Sequence, residues 1–245
     1  GRARGAYGAG GAVLPVAGAQ AAIGALPRLW PRGRARVLAP TYGEHAACLA
    51  AAGWQVTEVS RPEALEGADL AVITNPNNPD GRRLPRDAVL ALAGRVGRLI
   101  VDESFADTDP DLSVAANAGA PGLVVLRSFG KFHGLAGLRL GFVLTDTATA
   151  ARLAALIGPW PVTGPAIEIG AAALADAGWA AATRDRLAGE AARIDALTAA
   201  AGWRLIGGTG LFRLYETGDA AAAQAALARH RIWSRAFPWS AGALR

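Results

Sequence analysis

The chain has 245 residues, of which 52% are hydrophobic and 18% charged, and its mean hydropathy is +0.23. This composition excludes a disordered or collagen-like chain, and no run of about eighteen apolar residues marks a transmembrane helix, so no membrane partner is expected. The formal charge of +5 raises nucleic-acid binding, but the arginines are scattered and no basic run is interleaved with aromatics, so no nucleic-acid partner is expected either.

In chain order, a strand-like run at Ala12 to Val16 leads into a helix over Gln20 to Leu29. Strands are predicted at Arg36 to Ala39, Trp54 to Val59, Leu70 to Thr74, Leu99 to Asp102, Leu123 to Arg127 and Leu138 to Leu144. Helices are predicted at Glu44 to Ala52 and Arg86 to Val96. Near-continuous apolar strands separated by helices read as an α/β fold with a mostly parallel sheet. After Thr145 the texture changes. Helices are predicted at Ala148 to Ile157, Ala166 to Ala177 and, as one long amphipathic helix, Trp179 to Ala201. Strands at Trp203 to Ile206 and Gly210 to Tyr215, a helix at Asp219 to His230 and a strand near Ile232 to Arg235 then suggest a smaller C-terminal α+β domain. The expected division is 1–160 and 161–245, near the Gly- and Pro-containing stretch at Pro159 to Pro165.

Methionine is absent, and Gly1 to Gly11 lacks the layout of a signal peptide, so the chain reads as a fragment of a longer protein. One cysteine, Cys48, can form neither an internal disulfide nor a zinc cluster, which makes a reducing cytoplasm the expected compartment and no metal the expected content.

Of the 25 basic residues all but Lys131 are arginine. A guanidinium stays charged, so chemistry that needs a deprotonated amine can use only Lys131. The lysine lies in Leu126-Arg127-Ser128-Phe129-Gly130-Lys131, after an apolar strand and at the strand end where ligands of an open α/β sheet sit. Apolar neighbours there are expected to desolvate the amine and make it nucleophilic. Ser128 offers a hydroxyl to an anion and Arg139 a positive charge. Three further segments stand out. Asn75-Pro76-Asn77-Asn78-Pro79-Asp80-Gly81 is a rigid turn rich in amides. Asp102 ends a strand and calls for a cationic partner. Gly18, Ala19 and Gln20 open a helix whose first N–H groups suit a phosphate. Taken singly, each segment also reads as an ordinary loop, turn, cap or alanine-rich helix start, and for the lysine alone the surface-loop reading is the stronger one.

Together, in this order and spacing, they resemble the fold-type-I pyridoxal-phosphate enzymes of the aminotransferase class I/II superfamily. Ser128-Phe129-Gly130-Lys131 followed by Gly134-Leu135-Ala136-Gly137-Leu138-Arg139-Leu140-Gly141 is the most diagnostic stretch. The chain is most similar to the branch that holds histidinol-phosphate aminotransferases and threonine-phosphate decarboxylases, and Pro40-Thr41-Tyr42-Gly43-Glu44-His45, Val101-Asp102-Glu103-Ser104-Phe105-Ala106-Asp107 and Val125-Leu126-Arg127-Ser128-Phe129-Gly130-Lys131-Phe132 resemble the decarboxylases of cobalamin biosynthesis within it. The resemblance implies a three-layer domain and pyridoxal 5'-phosphate (PLP) as cofactor. It gives Lys131 the role of Schiff-base lysine and Asp102 that of partner to the pyridinium nitrogen. Asn78 would bond the phenolic oxygen, and Tyr42 would stack on the ring. Gly18, Ala19, Gln20, Ser128 and Arg139 would bind the cofactor phosphate. Asn78 and Arg245 would meet the substrate, a small phosphorylated amino acid. A homodimer is implied, as is an N-terminal arm that this sequence does not contain. Phe105 stands where many aminotransferases have a tyrosine, and phenylalanine also occurs there in the decarboxylases. The reaction implied is decarboxylation of L-threonine O-3-phosphate, with transamination of histidinol phosphate as the alternative. A regulatory domain of the same fold is a third reading, against which the retained Lys131, Asp102 and Asn78 speak.

Overall fold

A computed structural model describes residues 2–245; Gly1, the first residue of the expected large domain, lies outside the described residues. The contacts divide the chain into two compact units, one running to Pro76 and from Arg83 to Ala177, the other made of Asn77–Arg82 and Gly178–Arg245.

The first unit is built on seven strands: β1 (Ala12–Val16), β2 (Arg34–Leu38), β3 (Gln55–Val59), β4 (Leu70–Thr74), β5 (Leu99–Asp102), β6 (Leu123–Ser128) and β7 (Gly141–Thr145). Their order in the sheet is β1-β7-β6-β5-β4-β2-β3. The pairs from β3 through β6 are parallel, and β7 runs antiparallel to both β6 and β1. Every residue of β4, β5, β6 and β7 is buried, because helices cover both faces of the sheet. Side chains alternate between two cores: Ala71, Ile73, Leu99, Val101, Leu123 and Val125 enter one, and Leu70, Val72, Ile100, Val124 and Leu126 the other. A short helix, α1 (Arg2–Ala6), precedes β1, and the second core also takes in residues of helices α2 (Ala19–Ala25), α3 (Glu44–Ala51) and α5 (Thr147–Ile157). The first takes in residues of α4 (Arg86–Ala93) and α6 (Gly164–Ala175).

Several boundaries differ from the sequence reading. Pro27 ends α2 early, and the chain continues as a 3-10 turn over Leu26–Arg28. β7 starts at Gly141 rather than Leu138, because Ala136–Leu138 forms a 3-10 turn and Arg139 takes a left-handed conformation with φ 52°. Residues 161–177, expected in the small domain, belong to the first unit. There α6 lies so close to the residue before β7 that a Cβ on Gly170 would stand 2.3 Å from Leu140 Cδ2.

The second unit holds an antiparallel sheet of order β10-β11-β9-β8, formed by β8 (Arg204–Thr209), β9 (Phe212–Glu216), β10 (Ala236–Phe237) and β11 (Ser240–Leu244). Two helices accompany it, α7 (Ala177–Ala200, whose first residue is still in the first unit) and α8 (Ala220–Arg229). Thr183 is the buried residue of α7, so its expected apolar face stays largely exposed, with Ile194 and Leu197 on the surface. The strand expected near Ile232 to Arg235 is irregular instead. Arg231 adopts φ 64° after α8, and the chain becomes regular only in the hairpin that turns at Pro238 and Trp239. The turn Asn77–Arg82 belongs here because it lies against β8: a Cβ on Gly81 (φ +70°) would fall 2.2 Å from the Gly208 nitrogen. Among the described residues no helix is long and apolar enough to cross a membrane.

Candidate active site

Asp102 is the last residue of β5 and is 3% exposed. One carboxylate oxygen, Oδ1, accepts from the Ser104 backbone N–H at 2.9 Å and from the Ser104 hydroxyl at 2.5 Å. The other, Oδ2, lies 2.9 Å from Nε2 of the buried His45. Burial pushes the carboxyl pKa up, but His45, through its hydrogen bond and its charge, and the two Ser104 donors outweigh burial and hold it below the ordinary value of 3.8. Asp102 is therefore an ionised carboxylate out of water, and an ionised carboxylate only accepts, so His45 presents its Nε2–H. The sequence reading gave His45 no role. A signal was present: His45 and Leu49 are the buried residues of α3, four apart and on one face, and a polar residue on a buried face is the informative kind.

Tyr42 precedes α3 with its ring 41% exposed, 6.1 Å from the His45 ring at a steep angle. Its hydroxyl donates to Gln20 Oε1 at 3.2 Å, and the Gln20 amide donates to Glu44 at 3.1 Å. Tyr42, His45, Asp102 and Ser104 thus form one continuous run of contacts.

Three strands meet beside this run. Gly141 of β7 pairs with Val16 of β1 on one side and Ser128 of β6 on the other. Gly18 has φ 80°, a conformation glycine adopts readily, and it provides no side chain to cap α2. A Cβ on Gly18 would lie 2.6 Å from Arg139 Nη2, and one on Gly141 would lie 2.6 Å from the Ala19 nitrogen. Backbone N–H groups at Ala19 and Gln20 and the Arg139 guanidinium therefore share one small-residue cradle, which Gly18 lines without a side chain while its own N–H donates to the Val16 carbonyl at 2.7 Å. Ser128 Oγ accepts from the Gly130 N–H at 3.3 Å, which leaves its own hydrogen to donate.

Lys131 follows β6 but is exposed, contrary to the desolvated setting expected of it. Its ammonium lies over the Phe105 ring, 5.5 Å from Nζ to the centroid. Its special character in this chain rests on its being the single lysine and on its place at the strand end.

Asn78 and Arg245 lie in the second unit, where the Arg245 guanidinium donates to Asn78 Oδ1. Arg245 also packs over the rings of Phe212 and Phe237. Burial, and then the charge of Arg235, lowers its pKa. Arg235 and Arg245 exchange backbone hydrogen bonds of 2.7 and 2.9 Å, so two guanidiniums are held near one another, an arrangement suited to an anion. Arg235 had no assigned role in the sequence reading, which placed it in a strand.

These features fit PLP. The cradle of Gly18, Gly141 and Arg139 suits a phosphate that a side chain would displace. The buried carboxylate suits a cationic ring nitrogen, and the exposed amine is open to covalent linkage. The family model for aminotransferase class I and II matches residues 4–241. The chain is 45% identical to a threonine-phosphate decarboxylase of Sinorhizobium sp, over 95% of this chain and 71% of that protein. It is 44% identical to a threonine-phosphate decarboxylase of Pseudomonas aeruginosa, over 92% of this chain and 70% of that protein. Its fold is similar to that of a histidinol-phosphate aminotransferase from Sinorhizobium meliloti solved with pyridoxal-5'-phosphate, at a TM-score of 0.87 and 21% identity, covering 100% of this chain and 74% of that one. The chain belongs to the aminotransferase class I and II family and is a PLP-dependent enzyme.

Proposed function

We propose that this enzyme decarboxylates L-threonine O-3-phosphate to (R)-1-aminopropan-2-yl phosphate and carbon dioxide, a step of cobalamin biosynthesis. The buried, ionised Asp102 at the end of β5 carries the enzymatic reading. The substrate follows from the similarity to threonine-phosphate decarboxylases along nearly the whole chain.

PLP, when bound, supplies an electron sink conjugated to the substrate amine. The chain's own residues do the rest. Asp102 holds a proton on the ring nitrogen, since a fixed negative charge in a low dielectric favours the cationic form. His45 and Ser104 keep that carboxylate ionised and aimed. Gly18, Ala19 and Gln20, with Ser128 and Arg139, grip the cofactor phosphate. The exposed face of Tyr42 covers the ring. Asn78 gives its carbonyl to Arg245, so its amide hydrogens are the part available to a phenolic oxygen. Arg245, with Arg235 beside it, takes an anionic group of the substrate. Lys131 would hold the cofactor through its amine and, once that amine is free, would give a proton to Cα in place of the departed carboxylate.

A cytoplasmic homodimer is the assembly in which we place the enzyme. The exposed Trp160, Ile167 and Ile169 offer apolar surface that such a dimer would bury. Sedimentation at twice the chain mass supports it, and a monomer contradicts it.

The test of the activity is the PLP-loaded protein with L-threonine O-3-phosphate. Carbon dioxide and phosphorylated aminopropanol in equal amounts support decarboxylation. Glutamate from 2-oxoglutarate and histidinol phosphate, without carbon dioxide, would make the enzyme an aminotransferase on the same residues.

A further inference from the structure

The residue after Asp102 is buried in a different way. Glu103 is 0% exposed, and its carboxylate turns to the opposite side of the sheet. Its Oε1 accepts from the Val114 N–H at 2.7 Å, and its Oε2 accepts from the Ser113 hydroxyl at 2.6 Å and from Arg127 Nη1 at 2.8 Å. The other terminal nitrogen of Arg127, Nη2, donates to Asp107 Oδ1. Arg127 is itself 4% exposed, and the Tyr7 ring lies 4.4 Å from the guanidinium carbon. One guanidinium therefore joins the first and last residues of the turn Glu103 to Asp107. That turn holds the two groups the site uses from this segment: Ser104, which donates twice to Asp102, and Phe105, whose ring stands by Lys131. Arg127 also sits on β6 immediately before Ser128, so the clamp spans the strand that leads to the lysine and the turn that leads from the aspartate.

We propose that Arg127 is a positioning residue of the reaction, its two-armed clamp on Glu103 and Asp107 holding Ser104 against Asp102 and Phe105 beside Lys131. The planar fork is what the position demands: a lysine ammonium keeps one charge but cannot present the same two parallel donors to both carboxylates. A buried ion cluster is weak evidence of stabilisation by itself, since the desolvation of its members offsets much of their attraction. Fixing a geometry is the better-founded use. Burial, and then the charge of Asp107, raises the Tyr7 hydroxyl's pKa despite Arg127, so the ring lies against the cluster as a neutral cover.

The inference rests on the reading of Asp102 and Lys131 given above. It is tested in the PLP-loaded protein with Arg127→Lys, Ser104→Ala and the double variant. The readouts are a spectrophotometric pH titration of the lysine-linked cofactor, and kcat and KM taken separately. Losing one well-aimed hydrogen bond to Asp102 should move the titration midpoint by about half a unit or more. Arg127→Lys should move it in the same direction as Ser104→Ala and lower kcat about tenfold, with KM within about twofold. The double variant should shift little beyond the larger single one, because both changes remove the same contact. An unmoved midpoint in a folded Arg127→Lys protein, or effects that simply add, would overturn the proposal. If Arg127→Lys does not fold, Asp107→Asn takes away one arm and leaves the Glu103 pair, and its coupling to Ser104→Ala decides the matter by the same criteria. A parent protein that fails to link PLP at Lys131 would overturn the site reading and the clamp with it. A parent that links and titrates, beside variants that do not shift, overturns the clamp alone.

Discussion

Asp102 and Glu103 are neighbours in the chain, both carboxylates and both buried, yet they end in opposite settings. Glu103 meets a permanent cation, Arg127, and two further donors, so its charge is answered within the fold. Asp102 meets Ser104 and His45, and a histidine is a cation only when protonated. The carboxylate on that face therefore keeps negative charge for a cationic group brought in from outside. Burial alone does not make a reactive carboxylate; what matters is whether the fold or a ligand supplies the counter-charge. The alternation of β5 and β6 separates the two cases, with Asp102 and Ser128 on one side and Glu103 and Arg127 on the other.

Substitutions on the Asp102 side should cost mainly activity, whereas removing the Arg127 cation on the Glu103 side should cost stability in addition to the loss of turnover expected when Ser104 is misplaced. The largest effect is expected at Lys131→Ala, which removes the single lysine. PLP linkage should vanish from the absorbance spectrum and turnover should fall by at least about a thousandfold. Asp102→Asn keeps the shape but loses the charge. Turnover should fall about a hundred- to thousandfold while PLP remains bound by dialysis, and unchanged turnover would mean the ring nitrogen lies elsewhere. Across the sheet, Arg127→Met leaves two buried carboxylates without their cation. Urea unfolding should show a loss of about 3–5 kcal/mol, and a loss under about 1 kcal/mol would mean that water or rearrangement satisfies Glu103.

The smallest effect concerns acid. Folding holds the Asp102 carboxyl below its ordinary value of 3.8, so its stabilising contribution is complete above that value and is lost as pH falls through the depressed one. Asp102→Asn should flatten this part of the acid-unfolding curve. An acid limb identical in the two proteins would show that His45 and Ser104 do not hold the carboxylate as described.

The strands that carry the site were the most legible part of the fold. β4 and β5 run from Leu70 to Thr74 and from Leu99 to Asp102, as their unbroken apolar runs indicate. β7 was read three residues too early because Arg139 occupies the left-handed region, which an arginine's place in an apolar-looking run does not betray. The cradle of Gly18 and Arg139 was anticipated in kind, but the fit between them depends on backbone geometry. Lys131 was singled out by being unique, while its expected desolvation failed because a turn, not a packed wall, presents it. The pairing of Glu103 with Arg127 was out of reach: the two are 24 residues apart and meet only through the register of β5 on β6.

The central claim is that the groups at the ends of β5 and β6 hold PLP through Lys131. Borohydride reduction of the PLP-loaded protein, followed by proteolysis and mass mapping, tests it most directly. A pyridoxyl group on the peptide containing Ser128-Phe129-Gly130-Lys131 is the expected result. A folded, PLP-treated protein that carries the group on its N-terminal amine, or carries none, would contradict it.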